Sequence, residues 1–331
     1  MVLTVIGFLA GLVALYYGAE ALVGGSSSLA LRFGIAPLIV GLTVVAFGTS
    51  APELLVSLLA VFDGKDGISV GNIIGSNIAN IALILGCASM VRPMSVNEEV
   101  VKREYPIMLG ASILLCVVAH DLVISRADGI LMLVLMVAFL GYSLWKGLRT
   151  SNRGDKAEAG GEAGEAGEVS EVDELEDVDP SKSTVPKDIA KLVFGIVLLA
   201  GGAYLLVESA IVIAKALEIP DLVIGITMVA IGTSLPELAT SVIAAYRGES
   251  DISVGNVIGS NVFNILLVLG TVAVIAPISV GQIAVDVDLW VMLAISILIW
   301  PLMRSGYSIN RLEGAGLLIG YVAYTVYLFM R

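Results

Sequence analysis

Long apolar runs follow one another along most of this chain, and short polar or charged segments separate them. A helix that crosses the hydrocarbon core of a bilayer needs about 20 mostly apolar residues. The predicted spans cover residues 2–23, 37–61, 68–91, 104–120, 125–149, 188–214, 221–246, 252–275, 283–303 and 311–330. We therefore predict an all-α polytopic membrane protein with ten transmembrane helices.

Two segments of the chain recur 184 positions later. Residues 41–59 read GLTVVAFGTSAPELLVSLL and residues 225–243 read GITMVAIGTSLPELATSVI, with 11 identities in 19 positions. Residues 67–86 and 251–270 align at the same offset with 14 identities in 20. The repeated segments also contain most of the polar residues found within apolar runs. A duplicated polar motif inside lipid indicates an ion site.

The repeat divides the chain into two halves with five predicted spans each. Because five is an odd number, the second half is expected upside down relative to the first, as two inverted five-helix repeats. The first repeat covers residues 1–149, an acidic linker covers 150–187, and the second repeat covers 188–331. Residues 151–180 contain eleven acidic and two basic side chains and almost no large apolar ones. Such a segment is predicted to be disordered.

Composition agrees with the hydropathy pattern, since hydrophobic residues make up 57% and charged residues 15% of the chain. Ordinary soluble domains have roughly 45–50% and about 25%. With the N-terminus outside, fourteen of the 18 Lys and Arg residues fall on the cytoplasmic side, which follows the positive-inside rule. We expect both termini outside, a cytoplasmic linker and a lipid bilayer as the surroundings. Neither a nucleic acid nor an obligate protein partner is indicated.

A proline is predicted to interrupt one span in each copy. Pro52 has no N–H for the carbonyl of Gly48, and Pro236 stands in the same relation to Gly232. A helix should kink or break at such a residue. Carbonyl groups freed in this way inside lipid need new partners, and a bound cation is one of them.

Side-chain spacing then predicts which polar groups share a helix face. Ser50, Glu53 and Ser57 are three and four residues apart, and Thr43 falls on the same stripe one turn earlier. On the next span Asn72, Ser76 and Asn80 recur every four residues. The second copy repeats both stripes with Thr227, Ser234, Glu237 and Ser241, and with Asn256, Ser260 and Asn264. Polar stripes in lipid are expected to face one another.

If the two copies meet at the midplane, Glu53 and Glu237 lie near each other. Two close carboxylates in a low-dielectric site require a cation or a proton between them. The motifs contain oxygen ligands and neither His nor Cys, a set that suits calcium or sodium and argues against zinc or copper. A site that holds one ion or the other, but not both, is what an antiporter requires.

At these residues the chain resembles the cation/calcium exchanger superfamily, and most closely its prokaryotic sodium/calcium exchanger branch. The motifs that carry the resemblance are GTSAPE at 48–53, GNIIGSNIAN at 71–80, GTSLPE at 232–237 and GNVIGSNVFN at 255–264. The resemblance implies that Glu53 and Glu237 are the central calcium ligands, shared with sodium. It implies further ligands from side chains at Ser50, Ser76, Ser234, Ser260, Asn80 and Asn264, and from backbone carbonyls at Ala46, Thr49, Ala230 and Thr233.

The resemblance implies sodium/calcium antiport by alternating access at one site in a prokaryotic plasma membrane, without a cofactor. Some relatives have Asp where this chain has Asn80 or Asn264, and in potassium-dependent exchangers that Asp is linked to potassium. Asn at both positions therefore weakens the potassium-dependent interpretation. The proton/calcium branch usually has Glu where this chain has Gly75 or its neighbours, so the sodium branch fits better. Proton/calcium antiport by the same glutamates is the alternative, and a cation channel fits inverted halves less well. An intramembrane hydrolase is disfavoured because the spans contain neither HExxH nor a Ser with a His or Lys base, so no enzyme is expected.

Overall fold

The computed structural model describes residues 2–158, 184–217 and 232–330. Most of the predicted linker and part of the seventh predicted span lie outside these residues, including Ala230 and Thr227. The described chain is mostly helical. Long helices occupy seven of the ten predicted spans. The span at 37–61 is broken in two, the span at 104–120 contains a 14-residue helix, and much of the span at 221–246 lies outside the described residues.

The helices are numbered along the chain. They are α1 (Val2–Phe33), α2 (Pro37–Thr49), α3 (Ala51–Phe62), α4 (Asp66–Val91), α5 (Tyr105–Val118), α6 (Arg126–Glu158), α7 (Val185–Ala216), α8 (Leu235–Arg247), α9 (Ser250–Ile275), α10 (Ala284–Arg304) and α11 (Arg311–Met330). A π-helical segment, Val100–Glu104, leads directly into α5. Further π-helical segments interrupt α2, α4 and α9, and another forms the beginning of α10.

Seven helices in the described part of the chain are long and apolar enough to cross a membrane, namely α1, α4, α6, α7, α9, α10 and α11. Helices α2 and α3 together pass the same test as one span that bends by 41° at Ser50. The chain is therefore a multi-pass membrane protein.

Helices α4 and α9 form the centre of the molecule. In each of them 78% of an 18-residue apolar segment is buried inside the protein. In the other long helices 11–28% of the corresponding segment is buried. Both central helices contain the GN…GSN…N motif, one in each copy. The polar residues of the repeat are thus held in the protein interior, where lipid cannot reach them.

Four short strands join the two halves at the ends of the helices. Strand β1 (Met94–Ser95) pairs antiparallel with β4 (Ser308–Ile309), and β2 (Val123–Ile124) pairs with β3 (Ile278–Ser279). Strands β1 and β3 are 184 residues apart, and so are the π-helical segments Val100–Glu104 and Ala284–Asp288. The structural repeat therefore continues beyond the two segments in which the sequences are visibly alike.

Glycines allow α1 and α7 to pack with their backbones in close approach. Gly11, Gly18 and Gly25 recur every seven residues on α1, and Gly195 and Gly202 do so on α7. A Cβ atom at Gly195 would lie 2.7 Å from the backbone nitrogen of Leu22. Small residues at helix contacts are typical of membrane proteins, where close packing replaces the hydrophobic effect as the driving force.

Adjacent glycines on α7 provide a test of this packing. A Cβ at Gly202 would lie 2.9 Å from Ala14 Cβ and 3.0 Å from Leu15 N, whereas a Cβ at Gly201 meets nothing within 4 Å. We expect Gly202→Ala to destabilise the protein by about 1–3 kcal/mol through overpacking. We expect Gly201→Ala to be neutral or stabilising by up to about 1 kcal/mol. Thermal unfolding of both variants in detergent measures the difference, and equal midpoints would contradict this close contact.

Candidate ion-binding site

The helix is interrupted at the equivalent serine in both copies of the motif, Ser50 and Ser234. Ser50 has φ −82° and ψ 3°, and Ser234 has φ −86° and ψ 4°. Pro52 and Pro236 lie in the first turn of the helix that follows, where the missing N–H has no intrahelical partner to lose. The predicted interruption is confirmed, and its consequence is that each proline begins a new helix next to the site.

The two motif glutamates lie in the first turns of α3 and α8. Glu53 and Glu237 are both completely buried, with 0% exposure, and their carboxylates are close enough for their charges to interact. Among the described residues, no group meets hydrogen-bond geometry with either oxygen of Glu53 or with Oε2 of Glu237. Buried carboxylate oxygens without partners are costly, so this arrangement suits a cation that supplies the missing interactions.

Hydroxyl groups surround each carboxylate, and they come largely from the opposite copy. Ser50 Oγ donates to Glu237 Oε1 at 3.4 Å. The hydroxyls beside Glu53 are those of Thr233, Ser76 and Ser234, and those beside Glu237 are Thr49 and Ser50. We refer to Thr49, Ser50, Glu53, Ser76, Thr233, Ser234, Glu237 and Ser260 as the central polar cluster.

Reciprocal hydrogen bonds join the two copies within this cluster. Thr49 Oγ1 donates to Asn256 Oδ1 at 3.2 Å, and Thr233 Oγ1 donates to Asn72 Oδ1 at the same distance. The hydroxyls of Ser234 and Ser76 are 3.2 Å apart, and those of Thr49 and Ser260 are 3.4 Å apart. Each half of the site is therefore completed by the other half, and the Thr–Asn bonds are equivalent in the two copies.

Asn72 and Asn256 connect the carboxylate-bearing helices to the central helices. Asn72 Nδ2 donates to Ser57 Oγ at 3.0 Å and to the backbone oxygen of Glu53 at 3.3 Å. Asn256 Nδ2 makes the matching bonds to Ser241 Oγ at 2.9 Å and to the Glu237 backbone oxygen at 3.5 Å. The predicted stripes thus do face each other, and these two amides hold α3 and α8 in place.

Asn80 and Asn264 lie at equivalent places in the π-helical segments of α4 and α9. Both are 0% exposed. The Oδ1 atom of each has no hydrogen-bond partner among the described residues. π-Helical bulges often occur at functional sites, because they change the direction in which side chains point.

Eleven of the twelve predicted ligands lie in the described part of the chain, and Ala230 does not. The carbonyl oxygen of Ala46 accepts the Ser50 N–H at 3.0 Å and the Thr49 hydroxyl at 3.4 Å. That hydroxyl also faces Asn256, so it can turn away and leave a lone pair for a cation. Thr43, which the stripe included, bonds to the Ile39 carbonyl of its own helix at 2.6 Å.

Sequence reasoning missed two buried amides next to the cluster, Asn77 and Asn261. Each lies one residue after a motif serine and is 1% exposed. They accept hydrogen bonds from Asn264 and Asn80 of the opposite copy. The signal that could have revealed them is the identity of GSN in both copies at a helix position that would otherwise be apolar.

Other acidic residues of the apolar runs lie outside this cluster. Glu20 pairs with Arg247 at 2.5 Å, and Glu208 is exposed on α7. Ser28 and Arg32 bind the buried Asp188 of α7. Neither Glu20 nor Glu208 is therefore placed to act as a central ligand.

The fold and the site define a class: a polytopic helical membrane protein with an oxygen-lined polar cluster in its centre. The sequence profile described as "Sodium/calcium exchanger protein" matches residues 3–145 and 187–330. The chain belongs to the sodium/calcium exchanger family.

Relatives along the full length agree with this assignment. The chain is 38% identical to the putative antiporter CaxA of Alkalimonas amylolytica over 332 residues, 99% of both chains. It is 38% identical to the sodium/calcium exchanger MaX1 of Methanosarcina acetivorans over 341 residues, 97% of both. Among solved structures, the sodium-calcium exchanger NCX_Mj soaked with 10 mM Na⁺ and zero Ca²⁺ superposes with a TM-score of 0.80 at 34% identity, covering 97% of each chain. The names of these relatives describe two sodium/calcium exchangers and a putative antiporter.

Proposed function

We propose that this chain exchanges sodium for calcium across a membrane by alternating access at the central polar cluster. The observation that carries the proposal is the pair of completely buried carboxylates, Glu53 and Glu237, whose oxygens largely lack hydrogen-bond partners among the described residues. Both family membership and the names of the relatives support it.

The charge and chemistry of the cluster fit calcium. Two carboxylates carry the charge that neutralises one Ca²⁺, which prefers about 6–8 oxygen ligands at roughly 2.3–2.6 Å. The neighbouring groups are hydroxyl, amide and carbonyl oxygens. The ligands that we propose are the central polar cluster with Asn80, Asn264 and the backbone carbonyls of Ala46, Thr49, Ala230 and Thr233.

Sodium can occupy the same oxygens, and this explains the exchange. Ser50, Ser76, Ser234 and Ser260 bring neutral oxygens next to the carboxylates, so sodium ions bound there use Glu53 and Glu237 as well. Calcium and sodium then compete for the same negative charge. A site that either ion can fill, but not both together, couples the outward movement of one to the inward movement of the other.

We further propose ten membrane spans arranged as two inverted repeats. The reciprocal hydrogen bonds between the copies support a two-fold relation in the membrane plane, and such a relation allows one site to open to either side. The distribution of Lys and Arg supports a cytoplasmic linker with both termini outside. In a prokaryote the corresponding membrane is the plasma membrane.

Calcium flux into proteoliposomes tests the function directly. Vesicles loaded with sodium and diluted into sodium-free buffer should accumulate radioactive calcium, with the pH clamped on both sides. Vesicles with equal sodium on both sides should not. The imposed gradient, and not leakage, then drives uptake.

Two other results would contradict the proposal. Calcium uptake that depends on a pH gradient and not on the sodium gradient would indicate proton/calcium antiport. Calcium flux that persists without any counter-ion would indicate a channel.

A further inference from the structure

We propose that Asn77 and Asn261 are positioning residues that turn the side-chain oxygens of Asn80 and Asn264 towards the bound cation. This inference rests on the proposed ion site and adds a second layer of residues to it. It also assigns a role to two buried methionines, Met108 and Met292, which hold the positioning amides in one orientation.

A chain of three side chains carries the inference. Asn80 Nδ2 donates to Asn261 Oδ1 at 3.1 Å. Asn261 Nδ2 in turn faces the sulfur of Met108 at 3.3 Å. All three residues are at most 1% exposed. The Asn80 amide has one end engaged in this chain, while its Oδ1 has no partner among the described residues.

The thioether sulfur determines which way the amides point. A methionine sulfur accepts weak hydrogen bonds but cannot donate one, so the NH₂ end of Asn261 is favoured next to it. Asn261 then presents its oxygen to Asn80, and only the NH₂ end of Asn80 can donate to that oxygen. The Asn80 oxygen then points away from Asn261 and is free to face a cation. With both amides turned over, an oxygen would face the sulfur lone pairs, and an N–H would occupy the place of a cation ligand.

The same chain occurs a second time in the other copy. Asn264 Nδ2 donates to Asn77 Oδ1 at 3.4 Å, and Asn77 Nδ2 faces Met292 Sδ at 3.8 Å. Asn264 Oδ1 likewise has no partner among the described residues. Each member of the second chain lies 184 positions from its counterpart in the first. Because the same arrangement occurs in both copies, we infer that the orientation of these amide groups is part of the architecture of the site.

A double-mutant cycle measures the role of Asn261 through Asn80. The variants are Asn261→Leu, Asn80→Ala and the double variant, and the measurement is the Kd for Ca²⁺ of the purified full-length protein by equilibrium binding of radioactive calcium. Each single change should raise the Kd roughly tenfold, because one oriented oxygen ligand is lost. The double variant should bind no more weakly than Asn80→Ala alone, since Asn261 acts only through Asn80.

A matched control separates positioning from general damage to the core. Ser112 is buried on the same helix as Met108 and donates only to the Met108 backbone oxygen at 3.1 Å in the described structure. Ser112→Ala should leave the Kd unchanged. If Asn261→Leu does not fold, Met108→Leu replaces it in the same cycle, with a smaller change in the same direction.

The outcomes distinguish this inference from the proposed function. Unchanged calcium binding in Asn261→Leu, or effects that add in the double variant, would overturn the positioning role while leaving sodium-driven exchange intact. If the wild-type protein binds calcium and the double-mutant cycle gives the expected Kd values, but no sodium-driven exchange is measured, the antiport proposal alone would be overturned. A wild-type protein that binds no calcium would overturn both.

Discussion

Replacement of Glu53 or Glu237 by glutamine is expected to reduce sodium-driven calcium transport by roughly a hundredfold or more, because removing one partner from a buried ion contact typically costs about 3–5 kcal/mol. Glutamine keeps the size and most of the shape of the side chain, but it removes the charge and replaces one acceptor oxygen with an NH₂ donor. The two variants should be similarly impaired, since both carboxylates are completely buried and each lies beside hydroxyl groups of the opposite copy. The initial rate of radioactive calcium uptake into proteoliposomes gives the comparison.

Thermal unfolding shows whether the lost transport is due to lost binding and not to misfolding. Without calcium, both glutamine variants should unfold at or above the wild-type midpoint, because one of two buried like charges has been removed. Calcium should raise the wild-type midpoint through binding to the folded state and leave those of the variants unchanged. Glu208→Gln, on the exposed face of α7, is the matched control and should transport normally. Normal transport by both Glu53→Gln and Glu237→Gln would exclude the proposed site.

The second large effect is expected from a single added methyl group, in Gly259→Ala. A Cβ at this position would lie 2.6 Å from the backbone oxygen of Leu42, 2.7 Å from Ala46 Cβ and 2.9 Å from Leu42 Cα. Two of these atoms belong to the backbone of α2 and the third to a methyl group, so no side chain can rotate to make room. Helix α2 must move as a unit and take the Ala46 carbonyl and Thr49 with it. We expect overpacking of about 1–3 kcal/mol and at least a severalfold loss of transport.

Gly110→Ala is the matched control for this change. Gly110 lies within helix α5, and a Cβ there meets nothing within 4 Å. The control therefore makes the same chemical change in a helix without the collision, and it should transport like wild type. Calcium transport at the wild-type rate and affinity in Gly259→Ala would show that α2 is not held at this distance in the working protein.

Much of the fold follows from local patterns that need no tertiary information. The apolar runs predicted α4, α7, α9, α10 and α11 to within a few residues, because a span needs apolar length above all. Helix α1 continues ten residues beyond the predicted end at residue 23. Proline chemistry predicted the breaks at Ser50 and Ser234, since a missing N–H is a local property. Gly255 and Gly259 are four residues apart, a spacing that allows helices to approach closely, and both glycines pack against the backbone of α2.

The structure brings the predicted glutamates and motif serines together in one buried cluster, as expected of polar residues that are costly inside lipid and rarely retained twice for packing alone. Their role as ion ligands stays a prediction. Helical spacing predicted that the polar face of α3 meets the polar face of α4, and it placed Thr43 on the first of these faces. The Thr43 hydroxyl instead donates to a carbonyl of its own helix. The contacts that complete the site cross between copies, from Thr49 to Asn256 and from Thr233 to Asn72. Helical periodicity contains no information about a partner more than a hundred residues away.

By itself, the sequence determined that this chain spans membranes and that its polar motif occurs twice, and it predicted which oxygens bind a cation. It could do so because burial in lipid, helix spacing and ligand chemistry are properties of single residues and their near neighbours. Only the tertiary structure decided that the copies complete each other's half of the cluster, and that Asn77 and Asn261 contact the amides of Asn264 and Asn80. Those are properties of pairs of residues far apart in the chain, and packing α4 against α9 is what brings them together.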